Sequence, residues 1–196
     1  MSQRLLDKLK DRFGAAVLET HSDFGDDTAV IDPASWKAVC TYLRDDSGCD
    51  MQMLTDLCGV DYPDRTPRIE VVVHLYSINK RHRLRLKARV GDEDAAGAEI
   101  DSVVDLWAGA NWFERETFDM FGVRFKGHPD LRRILMYPEF EGHQLLKSYP
   151  ADRTQPLVAY RTEEEAGLPL DKVAPFGEDE GMSFGRRQHD TENGAS

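Results

Sequence analysis

Glu116, Asp119 and His128 bring together two carboxylates and an imidazole, the residue types that hold a catalytic metal or move protons in a hydrolase. On a helix, Glu116 and Asp119 stand three apart and Arg115 and Asp119 four apart, so these charges share one face. The same spacing describes an ion-paired helix surface, with Trp112, Phe113, Phe118, Met120 and Phe121 filling core or interface. Carboxylate clusters outside a known motif are more often structural than catalytic, so the ion-paired surface is the expected reading. A stand-alone metal-dependent hydrolase using Glu116, Asp119 and His128 is the alternative. A second candidate is the basic alternation from Lys80 to Arg89, which could meet an acidic partner or a polyphosphate. It lacks the aromatic side chains on which single-stranded bases stack, and reads instead as the solvated face of an antiparallel strand that charge protects from edge pairing.

Other chemistries are excluded by what the chain lacks. Its three cysteines, Cys40, Cys49 and Cys58, form no C-x-x-C pair, so neither an iron–sulfur cluster nor a structural zinc site is expected. Cys40 falls in an apolar stripe and reads as a small core residue. His21, His74, His82, His143 and His189 lack ligand spacing. None of the 15 glycines builds a dinucleotide or P-loop cradle; Gly177, Gly181 and Gly185 are interleaved with Glu178, Asp179 and Glu180, which repel phosphate. Neither the G-x-S-x-G elbow nor H-E-x-x-H occurs. With 25 Lys and Arg against 36 Asp and Glu, the net charge of −11 argues against general nucleic-acid binding. Met1 to Arg12 is a charged mixture rather than a signal peptide, and no apolar run approaches the ~20 residues of a membrane span. The expectation is a cytosolic protein with reduced thiols, reaching a membrane only through a partner.

These residues need elements to position them. Leu5, Leu6, Leu9 and Phe13 predict an amphipathic helix stopped by Gly14. Val17 to Thr20 and Thr28 to Ile31 read as strands around a polar turn, His21 to Asp27. Asp32-Pro33 opens a helix with Trp36, Val39, Cys40 and Leu43 on its apolar stripe, ended by Asp45 to Gly48. Cys49 to Val60 suggests one or two strands, and Asp61 to Asp64 a turn. Ile69 to Ile78 and Arg83 to Val90 predict a β-hairpin joined by Asn79 to His82, the second strand alternating charged and apolar residues. Ile100, Val103, Val104 and Trp107 suggest a helix, and Asn111 opens another, with Glu114 completing a capping box and Gly122 stopping it. Asp152 to Ser196 holds ten acidic and five basic residues with interrupted periods, and reads as a tail.

Glu114-Arg115-Glu116-Thr117-Phe118-Asp119-Met120-Phe121-Gly122-Val123, followed by Phe125-Lys126-Gly127-His128-Pro129-Asp130-Leu131-Arg132-Arg133-Ile134-Leu135, closely resembles the signature of the 30 kDa subunit family of respiratory complex I, whose bacterial members are the C subunits of the NADH-quinone oxidoreductases. Asp105 to Trp112 fits the same family, and Leu54 to Leu57 with Val60 to Tyr62 fits it more loosely. The resemblance covers Met1 to Pro150 and is most specific from Ser102 onward. Gly142 to Pro150 departs from the family's G-x-P-L-R-K-D-Y-P element, with Gln144, Leu146 and Ser148 where Pro, Arg and Asp are usual.

The resemblance implies a non-catalytic structural subunit of the peripheral arm of a proton-translocating NADH:quinone oxidoreductase, with no cofactor of its own. FMN and iron–sulfur clusters belong to partner subunits on this reading, and the chief partner is the large quinone-site subunit, the 49 kDa or D subunit. The complex places it on the cytoplasmic side of the cell inner membrane. Trp112, Glu114, Arg115, Glu116, Asp119, Phe121, Gly122, His128, Pro129, Arg132 and Arg133 are its family-motif and interface residues. The nearer alternative is the equivalent subunit of a related membrane-bound hydrogenase or dehydrogenase complex. The expected architecture is α+β: a mixed or antiparallel sheet covered by helices over residues 1–150, followed by an extended interaction arm over 151–196 with Leu157, Tyr160, Leu168, Leu170, Phe176 and Phe184 as anchors.

Overall fold

A five-stranded mixed sheet organises the chain. The computed structural model describes residues 3–92 and 97–158. Helix α1 (Gln3–Phe13) buries Leu5, Leu6 and Leu9, the face set by its apolar spacing, and Phe13 meets Tyr42 edge-on. Strands β1 (Val17–Asp23) and β2 (Asp26–Ile31) form a hairpin, so the expected polar turn contracts to two residues, Phe24 and Gly25. Asp32 then accepts from the Ala34 N–H at 3.1 Å, Pro33 starts a short 3₁₀ turn, and α2 (Trp36–Asp45) buries Trp36, Val39, Cys40 and Leu43. Burial pushes the Cys40 thiol far up, which keeps it a packing residue.

Strands β3 (Met53–Asp61), β4 (Ile69–Ser77) and β5 (His82–Val90) follow as an antiparallel meander. Strand β2 pairs with β5 in parallel, giving the order β1-β2-β5-β4-β3. The charged strand β5 is therefore central. Its cations do not guard an edge, as the sequence suggested; Lys87 and Arg89 instead cover the buried carboxylate of Glu70 on β4, at 2.7 and 3.6 Å. The opposite pleat face carries Leu84, Leu86, Ala88 and Val90 into one apolar cluster with Val71, Val73, Ala29, Ile31 and the stripes of α1 and α2.

Ile100, Val103 and Trp107 are buried as their spacing required, but not on a helix. Ile100 lies in the short strand β6 (Glu99–Asp101), and Val103 to Trp107 makes a single turn closed by the Trp107 N–H to Val103 carbonyl bond of 2.9 Å. A strand and a turn in succession have reproduced a helical period. Helix α3 (Ala110–Phe121) follows, then β7 (Arg124–Lys126), which pairs with β6 in parallel. α3 packs along β3 so closely that a Cβ at Gly59 would lie 2.7 Å from the Phe121 ring. Described residues up to Pro156 belong to one compact unit. Among the arm's expected anchors Leu157 is exposed, whereas Tyr160, Leu168, Leu170, Phe176 and Phe184 lie outside the described residues. Among the described residues no helix is long and apolar enough to cross a membrane.

Candidate functional site

Helix α3 and the segment after β7 carry the residues singled out by sequence. Gly109 rather than Asn111 precedes the first turn, and no side chain caps it. Glu114 does not complete a capping box; it is wholly buried and accepts from the Val103 N–H at 2.7 Å. That bond is why residues 103–107 turn where they do. The other Glu114 oxygen has no hydrogen-bond partner. Burial pushes this carboxyl up to about 7, against the opposing pull of Val103 and Ser102.

Asp119 is also wholly buried, with a different set of partners. Arg133 donates to it at 2.6 Å, and the consecutive backbone N–H groups of Ile134, Leu135 and Met136 donate at 3.1, 2.8 and 2.8 Å. Burial alone would raise its pKa, but these donors together hold it below the usual carboxylate range. Arg133 reaches onward to the Gly142 carbonyl at 3.0 Å and lies over the Phe140 ring, and the His143 ring bonds the Asp119 carbonyl at 2.9 Å. One carboxylate thus holds a stretch that has no regular secondary structure of its own. Gly122 ends α3 at φ +80° with its N–H on the Phe118 carbonyl, and the His143 ring presses so close that a Cβ there would stand 2.8 Å away. The glycine is needed both for its left-handed conformation and for space.

Arg115 and Asp119 do not pair along the helix as their spacing suggested. Arg115 donates instead to the carbonyls of Arg132 and Arg133, both at 3.2 Å, and stacks beside the exposed Trp112 ring. His128 accepts from the Asp130 N–H through Nδ1 at 3.0 Å, which leaves Nε2–H to donate to the Asn111 carbonyl at 3.3 Å. His128 is thereby fixed near the start of α3, Asp119 near its end, and Glu116 faces solvent. Glu116, Asp119 and His128 do not converge, so the geometry of a hydrolytic metal centre is not assembled from them. Among the described residues no three His, Cys, Asp or Glu side chains are placed to share an ion. Pro129 and Arg132 are exposed, Arg132 pairing with Asp130 at 2.9 Å; Phe121 is half-buried.

A second clamp escaped the sequence reading. Arg68 grips Asp61 through two bonds of 2.6 and 2.8 Å, both side chains buried, and this pair receives the Lys147 N–H at 2.6 Å and contacts the Ser148 hydroxyl at 3.2 Å. The Arg68 bond holds Asp61 below its ordinary pKa range. Reading β3 and β4 as a hairpin would have revealed it, because their register sets Asp61 against Ile69, the neighbour of Arg68. Ser148, which departs from the family's usual Asp, is the residue that meets this arginine.

The resulting surface has an aromatic and aliphatic skin over a polar frame. Trp112, Leu135, Tyr137 and Leu145 are exposed around α3 and the segment fastened to Asp119. The sequence profile of the family described as respiratory-chain NADH dehydrogenase, 30 kDa subunit, matches residues 29–155. The C subunit of the NADH-quinone oxidoreductase of Methylobacterium sp. (strain 4-46) is 43% identical over 148 residues, covering 76% of this chain and 67% of that one. Its counterpart from Thiobacillus denitrificans (strain ATCC 25259 / T1) is 38% identical over 192 residues, covering 91% and 94%. A chain in the structure of a membrane-bound sulfane sulfur reductase, an archaeal respiratory membrane complex, superposes with a TM-score of 0.59 over 99% of each chain. At 14% identity that likeness is one of fold alone.

Proposed function

Because this chain belongs to the respiratory-chain NADH dehydrogenase 30 kDa subunit family, we propose that it is a structural subunit of the peripheral arm of a proton-translocating NADH:quinone oxidoreductase. Electrons would pass from NADH through FMN and iron–sulfur clusters in other subunits to quinone, with no chemistry on this chain. The observation that carries the proposal is the use made of the motif's polar groups. Asp119, Arg133, Arg115 and His128 are spent on holding backbone, and the apolar groups they support are turned outward. Exposed aromatics beside arginines, on a rigid frame, have the composition of an interface core.

On this reading the α3 surface meets the large quinone-site subunit, the 49 kDa or D subunit, and this chain sits peripherally, as part of the membrane-bound complex, on the cytoplasmic side of the inner membrane. The part of the 151–196 tail beyond Pro156 acts as an arm along a partner. The equivalent role in a related hydrogenase or dehydrogenase complex is the competing reading; the fold shared with the sulfane sulfur reductase chain keeps it in view, while relatives named for NADH-quinone oxidoreductase favour the first. The test is affinity purification of the tagged chain from detergent-solubilised native membranes. Recovery of FMN, iron–sulfur clusters, the quinone-site subunit and NADH:quinone activity is expected. Recovery of a hydrogenase, or of the chain alone, would overturn the proposal. A chain truncated after Pro156 should unfold like the full chain in urea yet recover less of the complex.

A further inference from the structure

We infer that residues 128–149 form a strap that opens and closes as one unit while the sheet stays folded, and that its two fastenings, at Asp119 and at Asp61, are coupled through the Phe140 ring. The inference goes beyond the subunit reading and does not rest on it, since it concerns the chain by itself. Among the described residues beyond β7, those from 127 to 158 include no helix or strand and no fully buried residue. Irregular stretches of that length are uncommon in compact domains and are usually functional. Leu131 and Leu146 lean half-buried on the core. Most other ties to the body are polar. Burial of apolar surface is the main term that secures a segment, so the strap belongs at the low end of the molecule's local stabilities.

The fastenings follow one another along α3 and the end of β3. Asp119 takes Arg133 and the N–H groups of Ile134, Leu135 and Met136, the Leu145 N–H reaches the Met120 carbonyl at 3.1 Å, and the Lys147 N–H reaches Asp61. Between the two carboxylates the strap is closed on itself by aromatic rings. The Arg133 guanidinium, held by Asp119, lies 5.6 Å from the centre of the Phe140 ring; Phe140 stacks on Tyr149 at 6.1 Å with an interplanar angle of 18°, and Tyr137 meets Phe140 edge-on at 5.7 Å. Tyr149 directly follows Lys147 and Ser148, the residues that meet Asp61 and Arg68. At Gly142 a Cβ would stand 3.1 Å from the Tyr149 ring, so the backbone too is drawn against the stack. Contacts thus run from Asp119 through Arg133, Phe140 and Tyr149 to the amide seated on Asp61, and releasing either fastening loosens the stack that steadies the other. An element with two discrete arrangements, biased from both ends, is what coupling requires. A molecule seated on the exposed Leu135 and Tyr137 would thereby tighten the Asp61 fastening as well.

Hydrogen exchange of the full chain, followed residue by residue by NMR, tests this. The amides of Leu135, Met136, Leu145 and Lys147 should share one opening free energy and one urea dependence, while those of β4 and β5 exchange at least about a hundredfold more slowly. Lys147→Pro removes the donor to Asp61 without touching the buried pair of Asp61 and Arg68. It should speed exchange at Leu135 and Met136 about tenfold, with β4 and β5 unchanged. In a Phe140→Ala chain, Leu135 and Met136 should keep protection, since Asp119 keeps its donors, and adding Lys147→Pro should then change their exchange by less than about twofold. Four results overturn the inference: strap amides that exchange only when the sheet unfolds, exchange at 135 and 136 that ignores Lys147→Pro, a tenfold effect that survives in Phe140→Ala, or loss of all protection at 135 and 136 in Phe140→Ala alone. A Lys147→Pro chain whose β4 and β5 amides also lose protection counts with the first of these.

Discussion

Glu114 and Asp119 lie on the same helix, both wholly buried, and their carboxyl groups are displaced in opposite directions. Burial acts upward on each. Asp119 has an arginine and three backbone N–H groups to overcome it, whereas Glu114 has Val103 and Ser102 and one oxygen left without a bond. The number of donors, rather than depth, decides whether a buried acid is an anchor or a proton acceptor. Seen this way, the motif's two buried acids have different work: one fastens the segment after β7, and the other fixes the turn before α3.

Substituting the anchor should have the largest effect. Asp119→Ala leaves Arg133 and three N–H groups facing an empty space, and breaking a buried pair of this kind costs about 3–5 kcal/mol. Urea unfolding should register it, and limited proteolysis should open the chain between Leu131 and Leu146. Because the folded pKa of Asp119 is depressed, its contribution is present above the unfolded carboxylate pKa and is lost as pH falls through the folded value.

Glu114 predicts the opposite slope. Its folded pKa is raised, so the native state holds the proton longer than the unfolded chain. Stability should fall as pH rises from 4.5 towards about 7 and then level off. At ~1.4 kcal/mol per unit the span is at most about 3.5 kcal/mol. In Glu114→Gln that slope should vanish from a series of urea midpoints taken across the range; if it persists, the contrast between the two acids is wrong. Gly122→Ala tests the frame around Asp119 more gently. A left-handed non-glycine residue costs roughly 1–2 kcal/mol before the His143 ring is displaced, and a lowered melting temperature would show it. Trp112→Ala should move unfolding by less than about 0.5 kcal/mol, as an exposed residue does, while weakening recovery of the assembled complex.

Periodic segments were legible because their information is local. The stripe of α1, that of α2 and the alternation of β5 each contain within a few residues the face that is buried, and the structure uses those faces. What failed to be legible depends on distant partners. The centrality of β5 follows from its parallel pairing with β2, which no alternation encodes. The turn that replaces a helix at Val103 to Trp107 is held by a bond that the Val103 N–H donates to Glu114, eleven residues on. At the candidate site, resemblance identified Asp119 and Arg133, yet helical spacing proposed Arg115 as the partner of Asp119. The true donors, Arg133 to Met136, follow the helix without any period to announce them.

The clamp of Asp61 and Arg68 bears on how the molecule is made. All five strands of the sheet lie before residue 91, but the buried Asp61–Arg68 pair at the β3–β4 connection takes further partners from Lys147 and Ser148, 86 and 80 residues beyond the groups they meet. In the growing chain the strands are therefore complete before the last partners of this charge pair have been made. The closing contact is a latch, thrown by the Lys147 backbone amide 86 residues beyond the carboxylate it meets.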